Sequence, residues 1–132
     1  MTPQQPIRGN YLLDSNILVW LDSGSPRLSS QIRHDLRYAE RRYLSAATAW
    51  ELSLKQAARK LGLSASISSM LAAFRLEELP VLIRHGERAA TLPFHHSDPF
   101  DRIIVAQALE ENLILITGDA RLADYSVPIL LI

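Results

Sequence analysis

Leu113-Ile114-Leu115-Ile116 is the stretch of sequence that decides the fold, because it is a continuous apolar run. Such a run is typical of a strand that is buried on both faces of a parallel sheet. Before it, Asp98 as N-cap and Pro99 at the first helical position predict a helix that leads into this strand. After it, Thr117-Gly118-Asp119 predicts a turn into a short helix, and Ile129–Leu131 a last strand.

The rest of the chain alternates in the same way between short apolar runs and helical patterns. Strands are predicted at residues 11–13, 42–45 and 78–81, and Pro80 places the last of them at an edge of the sheet. Further helices are predicted at residues 17–21, 29–41, 48–61, 64–74 and 83–92. Strands separated by helices predict a three-layer α/β domain with a mostly parallel central sheet flanked by helices.

Local signals define the ends of the helix predicted at residues 48–61. Thr48 followed three residues later by Glu51 matches a capping box, which places the start of the helix at Thr48. Gly62 is expected to end it, as a glycine after the last helical turn commonly does.

Length and composition bound the class of protein. The 132 residues fit one domain at residues 11–132, and we expect residues 1–10 to form a flexible tail. No apolar stretch approaches the roughly 18–20 residues that a membrane helix needs, and the polar N-terminus carries no signal-peptide pattern. A chain without cysteine has no disulfides, no Cys-bound zinc and no thiol catalysis. We therefore expect a cytoplasmic protein that does not contact a membrane.

Charge excludes one simple way of binding nucleic acid. The 14 basic and 14 acidic residues cancel, whereas a protein that holds nucleic acid through bulk positive charge is strongly basic. Any RNA would have to be held by a local basic rim.

Carboxylates follow the predicted strands where ligands bind in open α/β sheets, beyond the carboxyl ends of the strands. Asp14 comes one residue past the first strand, and Asp119 lies three residues past the continuous apolar run. Glu51 lies in the first turn of the helix that follows the second strand. Asp98 and Asp101 begin the helix that leads into the apolar run. If these connections reach one edge of the sheet, four or five carboxylates point into one cleft.

Carboxylates that meet in one cleft raise one another's pKa unless cations hold them together. Oxygen ligands in a chain without cysteine select Mg²⁺ or Mn²⁺ over zinc. Two such ions about 3.5–4 Å apart can activate a water molecule and stabilise the leaving oxygen of a phosphodiester. The pattern therefore predicts metal-dependent hydrolysis by phosphoryl transfer.

Each carboxylate also has a structural explanation when it is taken alone. Asp98 has the pattern of a helix N-cap, so its role as cap or metal ligand stays open, and Asp101 complements the dipole of the same helix. Glu51 is explained by its capping box, and Asp119 by the start of the last short helix. Asp14 is harder to explain in this way, because a carboxylate directly after an apolar strand needs a partner. Their shared placement carries the argument.

Other polar and aromatic side chains are given a structural interpretation. His95 and His96 are adjacent and do not converge on one face, so we interpret them as solvated rather than as metal ligands or bases. Trp20 and Trp50 lie inside apolar helical patterns and are expected in the core. Arginines spaced four apart are interpreted as a solvated helix face that an RNA backbone could also use: Arg33, Arg37 and Arg41.

Four blocks of sequence, in order and spacing, resemble the PIN-domain ribonucleases, and among them the VapC-type toxins of bacterial type II toxin–antitoxin pairs. The blocks are residues 12–18 (LLDSNIL), 45–52 (SAATAWEL), 98–108 (DPFDRIIVAQA) and 116–119 (ITGD). The resemblance in order and spacing extends over residues 11–131, nearly the whole chain. Any one block is weak evidence, but four in the same order are specific.

The resemblance implies a PIN-like fold and an Mg²⁺- or Mn²⁺-dependent site that cuts single-stranded RNA. The positions that match the catalytic and metal-binding acids of the family are Asp14, Glu51, Asp101 and Asp119. Supporting positions, which orient the acids or the scissile phosphate or lie near them, are Asn16, Asp98 and Thr117. Ser15 stands where threonine is common in the family, a change that keeps the hydroxyl group.

The resemblance also implies partners. Toxins of this kind are blocked by a small antitoxin whose C-terminal segment places a basic side chain in the acidic cleft. An arginine there pairs with two carboxylate oxygens and competes with the metal. Homodimers are common in the family.

Three other classes of protein remain to be compared with this one. A phospho-acceptor signalling domain needs paired acids after the first strand and a late lysine, whereas Ser15 follows Asp14 and no lysine lies beyond Lys60. A DNA-directed nuclease would need a segment that grips a duplex, and no helix-turn-helix pattern is present. A catalytically inactive binding module with a PIN-like fold is the alternative that stays open.

Overall fold

Strands and helices alternate along the chain and build one sheet with helices on both faces. A computed structural model of the chain describes residues 9–132, so most of the predicted tail lies outside the described residues. The strands are β1 (Asn10–Leu13), β2 (Arg41–Ser45), β3 (Glu77–Leu79), β4 (Ile114–Thr117) and β5 (Ile129–Leu131). The helices are α1 (Ser15–Ser23), α2 (Ser30–Arg37), α3 (Ala46–Ala57), α4 (Ile67–Ala73), α5 (Ile83–Thr91) and α6 (Pro99–Glu111), with a 3-10 helix at Ala120–Asp124.

The five strands are all parallel and lie in the order β3-β2-β1-β4-β5. The predicted α/β fold is confirmed, and β3 is the edge strand that Pro80 indicated. Strands β1 and β4 form the central pair, with Leu12 opposite Leu115 and Leu13 opposite Ile116. The chain runs outward from this pair in both directions, and such a switch point is where clefts open in parallel sheets.

The apolar core has two layers, one on each face of the sheet. Side chains alternate along the central strands, so that Tyr11 and Leu13 face the layer packed against α1 to α4, while Leu12 faces the layer against α6. In β4, Ile116 and Leu115 alternate in the same way, and both are fully buried. Burying each such side chain contributes about 1.5–3 kcal/mol, which explains why the run that decides the fold is apolar throughout. Across residues 9–132, no helix combines the length and apolar character that crossing a membrane requires.

Helix α3 begins earlier than the capping box predicts. Its N-cap is Ser45, the last residue of β2, whose hydroxyl accepts a hydrogen bond from Ala47 N–H (3.1 Å). Thr48 is buried inside the first turn, and Glu51 therefore lies in the second turn. The prediction was wrong because β2 passes into α3 without a loop, and Ser45 can cap the helix from within the strand.

The other ends of helices differ for related reasons. Helix α3 ends at Ala57, where Arg59 takes the left-handed conformation (φ 56°) expected of Gly62. Lys60 N–H donates to the carbonyl of Lys55 (2.9 Å), which closes the helix in the pattern of a Schellman motif. Helix α2 ends at Arg37, so Arg41 lies on β2 and the predicted arginine stripe does not exist as one helix face.

Candidate functional site

Asp14 occupies the switch point of the sheet. It follows β1 directly, its N–H donates to the carbonyl of Ile116 (2.9 Å), and only 3% of the residue is exposed. Its Oδ2 accepts a hydrogen bond from the Thr117 hydroxyl (2.6 Å), and its Oδ1 accepts one from Ser15 N–H (2.7 Å). Burial raises the pKa of Asp14, and these two hydrogen bonds oppose the rise. The partner that a carboxylate at this place needs is therefore Thr117.

The turn after β4 is tied to Asp14 and its neighbours. The Thr117 hydroxyl, which donates to Asp14, also accepts a hydrogen bond from Asp119 N–H (3.0 Å). Asn16 Oδ1 accepts a hydrogen bond from Gly118 N–H (3.4 Å). Asn16 and Thr117 thus hold the backbone that presents Asp119.

Gly118 leaves no room for a side chain in this turn. A Cβ atom built on it would lie 2.3 Å from the Cη2 atom of Trp20, well inside the van der Waals contact distance to a rigid ring. We expect Gly118→Ala to lower the free energy of unfolding by about 1–3 kcal/mol, because the ring or the turn must move. Urea denaturation measures this, with Gly86→Ala as the control, since a Cβ at Gly86 meets nothing within 4 Å. Equal stability of the two variants would contradict the prediction.

Asp101 lies in the first turn of α6 and is the electrostatic centre of the site. Burial, and to a smaller extent the charges of four neighbouring carboxylates, together raise its pKa to about 7. Those neighbours are Asp14, Asp98, Glu51 and Asp119. The structure therefore brings the other four sequence-predicted acids within interaction range of Asp101, from four different elements and connections.

Glu51 and Asp98 reach this cluster from α3 and from the start of α6. Burial raises the pKa of Glu51, while Lys55 on the same helix opposes the rise at 3.7 Å. Asp98 is the N-cap of α6, since its Oδ1 accepts a hydrogen bond from Phe100 N–H (2.8 Å). The negative charge of Asp98 nevertheless contributes to the raised pKa of both Glu51 and Asp101.

Asp119 is the most accessible of the four acids that match the family and has a cation beside it. The Arg121 guanidinium donates to both of its carboxylate oxygens (2.8–3.2 Å) and holds the pKa of Asp119 below its ordinary value. Asp119 also caps the 3-10 helix through Arg121 N–H (3.0 Å). Arg121 is a site residue that sequence reasoning missed, although its position two residues after Asp119 was the available signal.

His96 is the second residue that sequence reasoning missed. Its side chain is not solvated: only 8% is exposed, and Nε2 lies 3.1 Å from Asp101 Oδ2 and 3.8 Å from Asp119 Oδ2. The interpretation of the two histidines was wrong for His96 because the loop before α6 turns it inward, whereas His95 stays exposed against Tyr125. A histidine two residues before a helix N-cap was the signal that could have found it.

Trp50 also departs from its prediction. It is 61% exposed rather than in the core, and its ring packs edge-on against Phe100 at 5.4 Å. It lines an apolar groove of about 790 Å³ next to the acids of α3 and α6. The groove is lined by Ala46, Ala47, Trp50, Leu54, Val81, Pro99, Phe100 and Ile103. Trp20, in contrast, is partly buried against the core, as predicted.

The donor set of this site fits a hard divalent cation. It consists of carboxylate oxygens, with Asp14 buried and the other acids partly buried, and the pKa values of three of these acids are raised. Buried carboxylates this close together need positive charge to stay ionised together, and oxygen ligands are those that Mg²⁺ and Mn²⁺ prefer. His96, Asp101 and Asp119 each present a ligand-type atom, and these atoms lie within 4.8 Å of one another.

Comparison with known proteins agrees with the fold. The sequence profile of the PIN domain matches residues 11–128, and the chain belongs to the PIN domain family. This confirms the family resemblance that the four blocks of sequence indicated.

Among individual relatives, the chain is 28% identical over 120 residues to ribonuclease VapC22 of Mycobacterium tuberculosis, covering 89% of this chain and 92% of that one. Its fold is similar to that of VapBC2 from Rickettsia felis bound to a promoter DNA fragment (TM-score 0.69, 19% identity, 91% of this chain and 96% of that one). It is also similar to VapBC-1 from nontypeable Haemophilus influenzae (TM-score 0.66, 22% identity, 92% and 96%). The VapC-type toxins are therefore the relatives within the family that this chain resembles.

Proposed function

We propose that this protein is a metal-dependent endoribonuclease that hydrolyses phosphodiester bonds in single-stranded RNA. The observation that carries the proposal is the cluster of five carboxylates around Asp101. Burial and the neighbouring carboxylates together raise the pKa of Asp101 to about 7. Further support comes from membership of the PIN domain family and from the similarity to a relative named as a ribonuclease.

In this proposal, four acids bind the cation and the others support them. Asp14, Glu51, Asp101 and Asp119 would hold Mg²⁺ or Mn²⁺, which supplies an activated water and charge stabilisation when bound. The chain's own contribution is orientation: the Thr117 hydroxyl fixes Oδ2 of Asp14, while Asn16 and Thr117 hold the backbone on either side of Gly118. Asp98 caps α6 and adds negative charge to the site.

Arg121 is the residue that we propose for contact with the RNA backbone. It is exposed at the rim of the site, and its guanidinium already pairs with both oxygens of Asp119. The same planar group can pair with two phosphate oxygens when a cation takes its place on Asp119. An arginine at the rim provides the local positive charge that a chain of zero net charge needs to hold RNA.

We further propose that the protein is the toxin of a cytoplasmic toxin–antitoxin pair. The support is the similarity to VapC22 and to VapBC complexes of toxin with antitoxin. The inhibitory partner would be a small antitoxin whose C-terminal segment reaches the acids. Arg121 on Asp119 illustrates how an antitoxin arginine could compete with the cation for the same carboxylates.

The apolar groove beside Trp50 supports self-association as a homodimer. Exposed apolar patches bordered by polar residues mark interaction surfaces, and this one joins α3 to α6. We expect the purified toxin without its antitoxin to have the mass of a dimer in light scattering, and Trp50→Glu to shift it toward the monomer. A monomeric wild-type protein at micromolar concentration would contradict this prediction.

The test of the proposed function is cleavage of a labelled single-stranded RNA with Mg²⁺ or Mn²⁺, compared with EDTA. Duplex RNA and single-stranded DNA of the same sequence define the substrate class. Asp14→Asn removes one negative charge from the site. Its control is Glu87→Gln, which removes one negative charge from an exposed acid of α5 outside the acidic cluster. Metal-dependent cutting of the single-stranded RNA supports the proposal. Mn²⁺ binding without cutting of any RNA would favour an inactive binding module.

A further inference from the structure

We infer that His96 is a positioning residue of the acidic site: its Nε2–H group donates a hydrogen bond to Oδ2 of Asp101 and leaves the other carboxylate oxygen to the cation. The inference rests on the proposed metal-dependent function. It concerns how one carboxylate of this chain is oriented.

Burial is the first observation that carries the inference. Only 8% of the His96 side chain is exposed, and its Nε2 atom is directed between Asp101 (Oδ2 at 3.1 Å) and Asp119 (Oδ2 at 3.8 Å). Although the first distance is short, Nε2 has no hydrogen bond of acceptable geometry to any of residues 9–132. Buried polar atoms in proteins are nearly always hydrogen-bonded, and Asp101 Oδ2 is the acceptor within reach of this atom, so the inferred bond needs only a reorientation of the ring or of the carboxylate.

The other ring nitrogen decides whether His96 donates to a carboxylate or binds the cation. Asp98 N–H donates a hydrogen bond to Nδ1 (3.1 Å), so Nδ1 presents its lone pair to the backbone. A neutral imidazole with a lone pair on Nδ1 carries its hydrogen on Nε2. An Nε2–H group can donate to a carboxylate, whereas a metal ligand would need a lone pair there. His96 is therefore a donor to Asp101 rather than a ligand, although its Nε2 lies within ligand distance of the acids.

Arg102 holds the loop that carries His96. This buried guanidinium donates to the carbonyls of Ala89, Leu92, Pro93 and His96 (2.7–3.3 Å). Arg102 follows Asp101 directly in α6. The same turn of this helix therefore carries the Asp101 carboxylate and the guanidinium that holds the backbone of His96. The hydrogen bonds of Arg102 therefore fix the loop backbone that carries the His96 ring next to Asp101.

In metal sites, the carboxylates that bind the ion also accept hydrogen bonds from residues around them. Removing such an outer partner typically weakens metal binding by about 10- to 100-fold. Because no other described side chain donates to Asp101, we expect His96 to account for a loss of this size. His96→Leu removes the donor and the Nδ1 acceptor together. His96→Asn keeps a polar atom near the Nδ1 position but does not reach Asp101, and His96→Gln places an amide N–H near the Nε2 position.

The test is Mn²⁺ binding to the full chain by calorimetry at one fixed pH. We expect His96→Leu and His96→Asn to bind Mn²⁺ about 10- to 100-fold more weakly, and His96→Gln to recover most of that loss. Recovery by glutamine but not asparagine separates donation to Asp101 from support of the Asp98 backbone. Wild-type affinity in His96→Asn, or glutamine as weak as leucine, would overturn the inference, and circular dichroism shows that the compared variants are folded.

Pulsed electron paramagnetic resonance on the Mn²⁺-loaded wild type gives a second readout. We expect no coupling of the strength that a directly bound imidazole nitrogen produces, and such a coupling would overturn the inference in favour of His96 as a ligand. Failure of the proposed function has a different signature. If the series of Mn²⁺ affinities holds but no RNA is cut, the ribonuclease proposal fails and the role of His96 stands.

Discussion

Replacing Asp14 with asparagine is expected to lower the rate of RNA cleavage by about 10³-fold or more. The residue is 3% exposed and lies at the switch point between β1 and β4. A metal-bound carboxylate supports several kcal/mol of charge stabilisation in the transition state, which corresponds to a rate effect of this size. Single-turnover cleavage of a labelled single-stranded RNA at saturating Mn²⁺ measures it.

Two further variants make the effect of Asp14→Asn specific. Glu87→Gln removes one exposed carboxylate outside the site and should cleave RNA at the wild-type rate. Thr117→Val keeps the shape of the side chain but removes the hydroxyl that donates to Asp14 Oδ2, and an intermediate loss is expected. A wild-type rate in folded Asp14→Asn would remove this carboxylate from the proposed mechanism.

The metal-free protein is expected to become less stable as the pH rises from about 4 to about 7. The pKa of Asp101 is raised from its ordinary value of 3.8 to about 7 in the folded state, so folding keeps a proton that the unfolded chain has already released. Stability therefore is greatest below the unfolded pKa and is lost as the pH rises through the folded pKa. The raised pKa values of Asp14 and Glu51 act in the same direction.

The size of this effect follows from the shift. For Asp101 alone, it corresponds to a destabilisation of up to about 4 kcal/mol at pH 8 relative to pH 4. Urea denaturation in EDTA across this range measures it, and Asp101→Asn should flatten the profile while raising stability at pH 8. Saturating Mn²⁺ should also restore stability at pH 8, because the cation binds only the folded state. An Asp101→Asn profile as steep as that of the wild type would contradict the prediction.

Much of this architecture is readable from the sequence because its signals are local and strong. The continuous run at residues 113–116 predicts a doubly buried strand, and Asp98-Pro99 predicts the start of α6, which begins at Pro99 as expected. Asp14 stands out for the same reason, since a carboxylate after an apolar strand is costly without a partner. The acids converge because parallel strands end at the same edge of the sheet.

What the sequence does not predict depends on contacts between distant elements. His96 lies in a loop whose carbonyls at Pro93 and His96 accept hydrogen bonds from Arg102, and no local pattern shows where an arginine side chain will point. Trp50 is exposed because Thr48 and Leu52 form the buried face of α3, and Trp50 lies outside that face. Local spacing alone cannot distinguish this from a buried position. In both cases, tertiary contacts decide what local spacing leaves open.

The bond from the Thr117 hydroxyl to Asp14 joins residues 103 positions apart, and this separation has a consequence for biosynthesis. Because the polypeptide is made from its N-terminus, α1 to α6 leave the ribosome before β4 has paired with the edge of β1. Only when β4 pairs with β1 does Asp119 join the four acids that precede β4 in the chain. A nascent chain thus carries no assembled carboxylate cluster for most of its translation. The complete site forms only after residue 119 has left the ribosome.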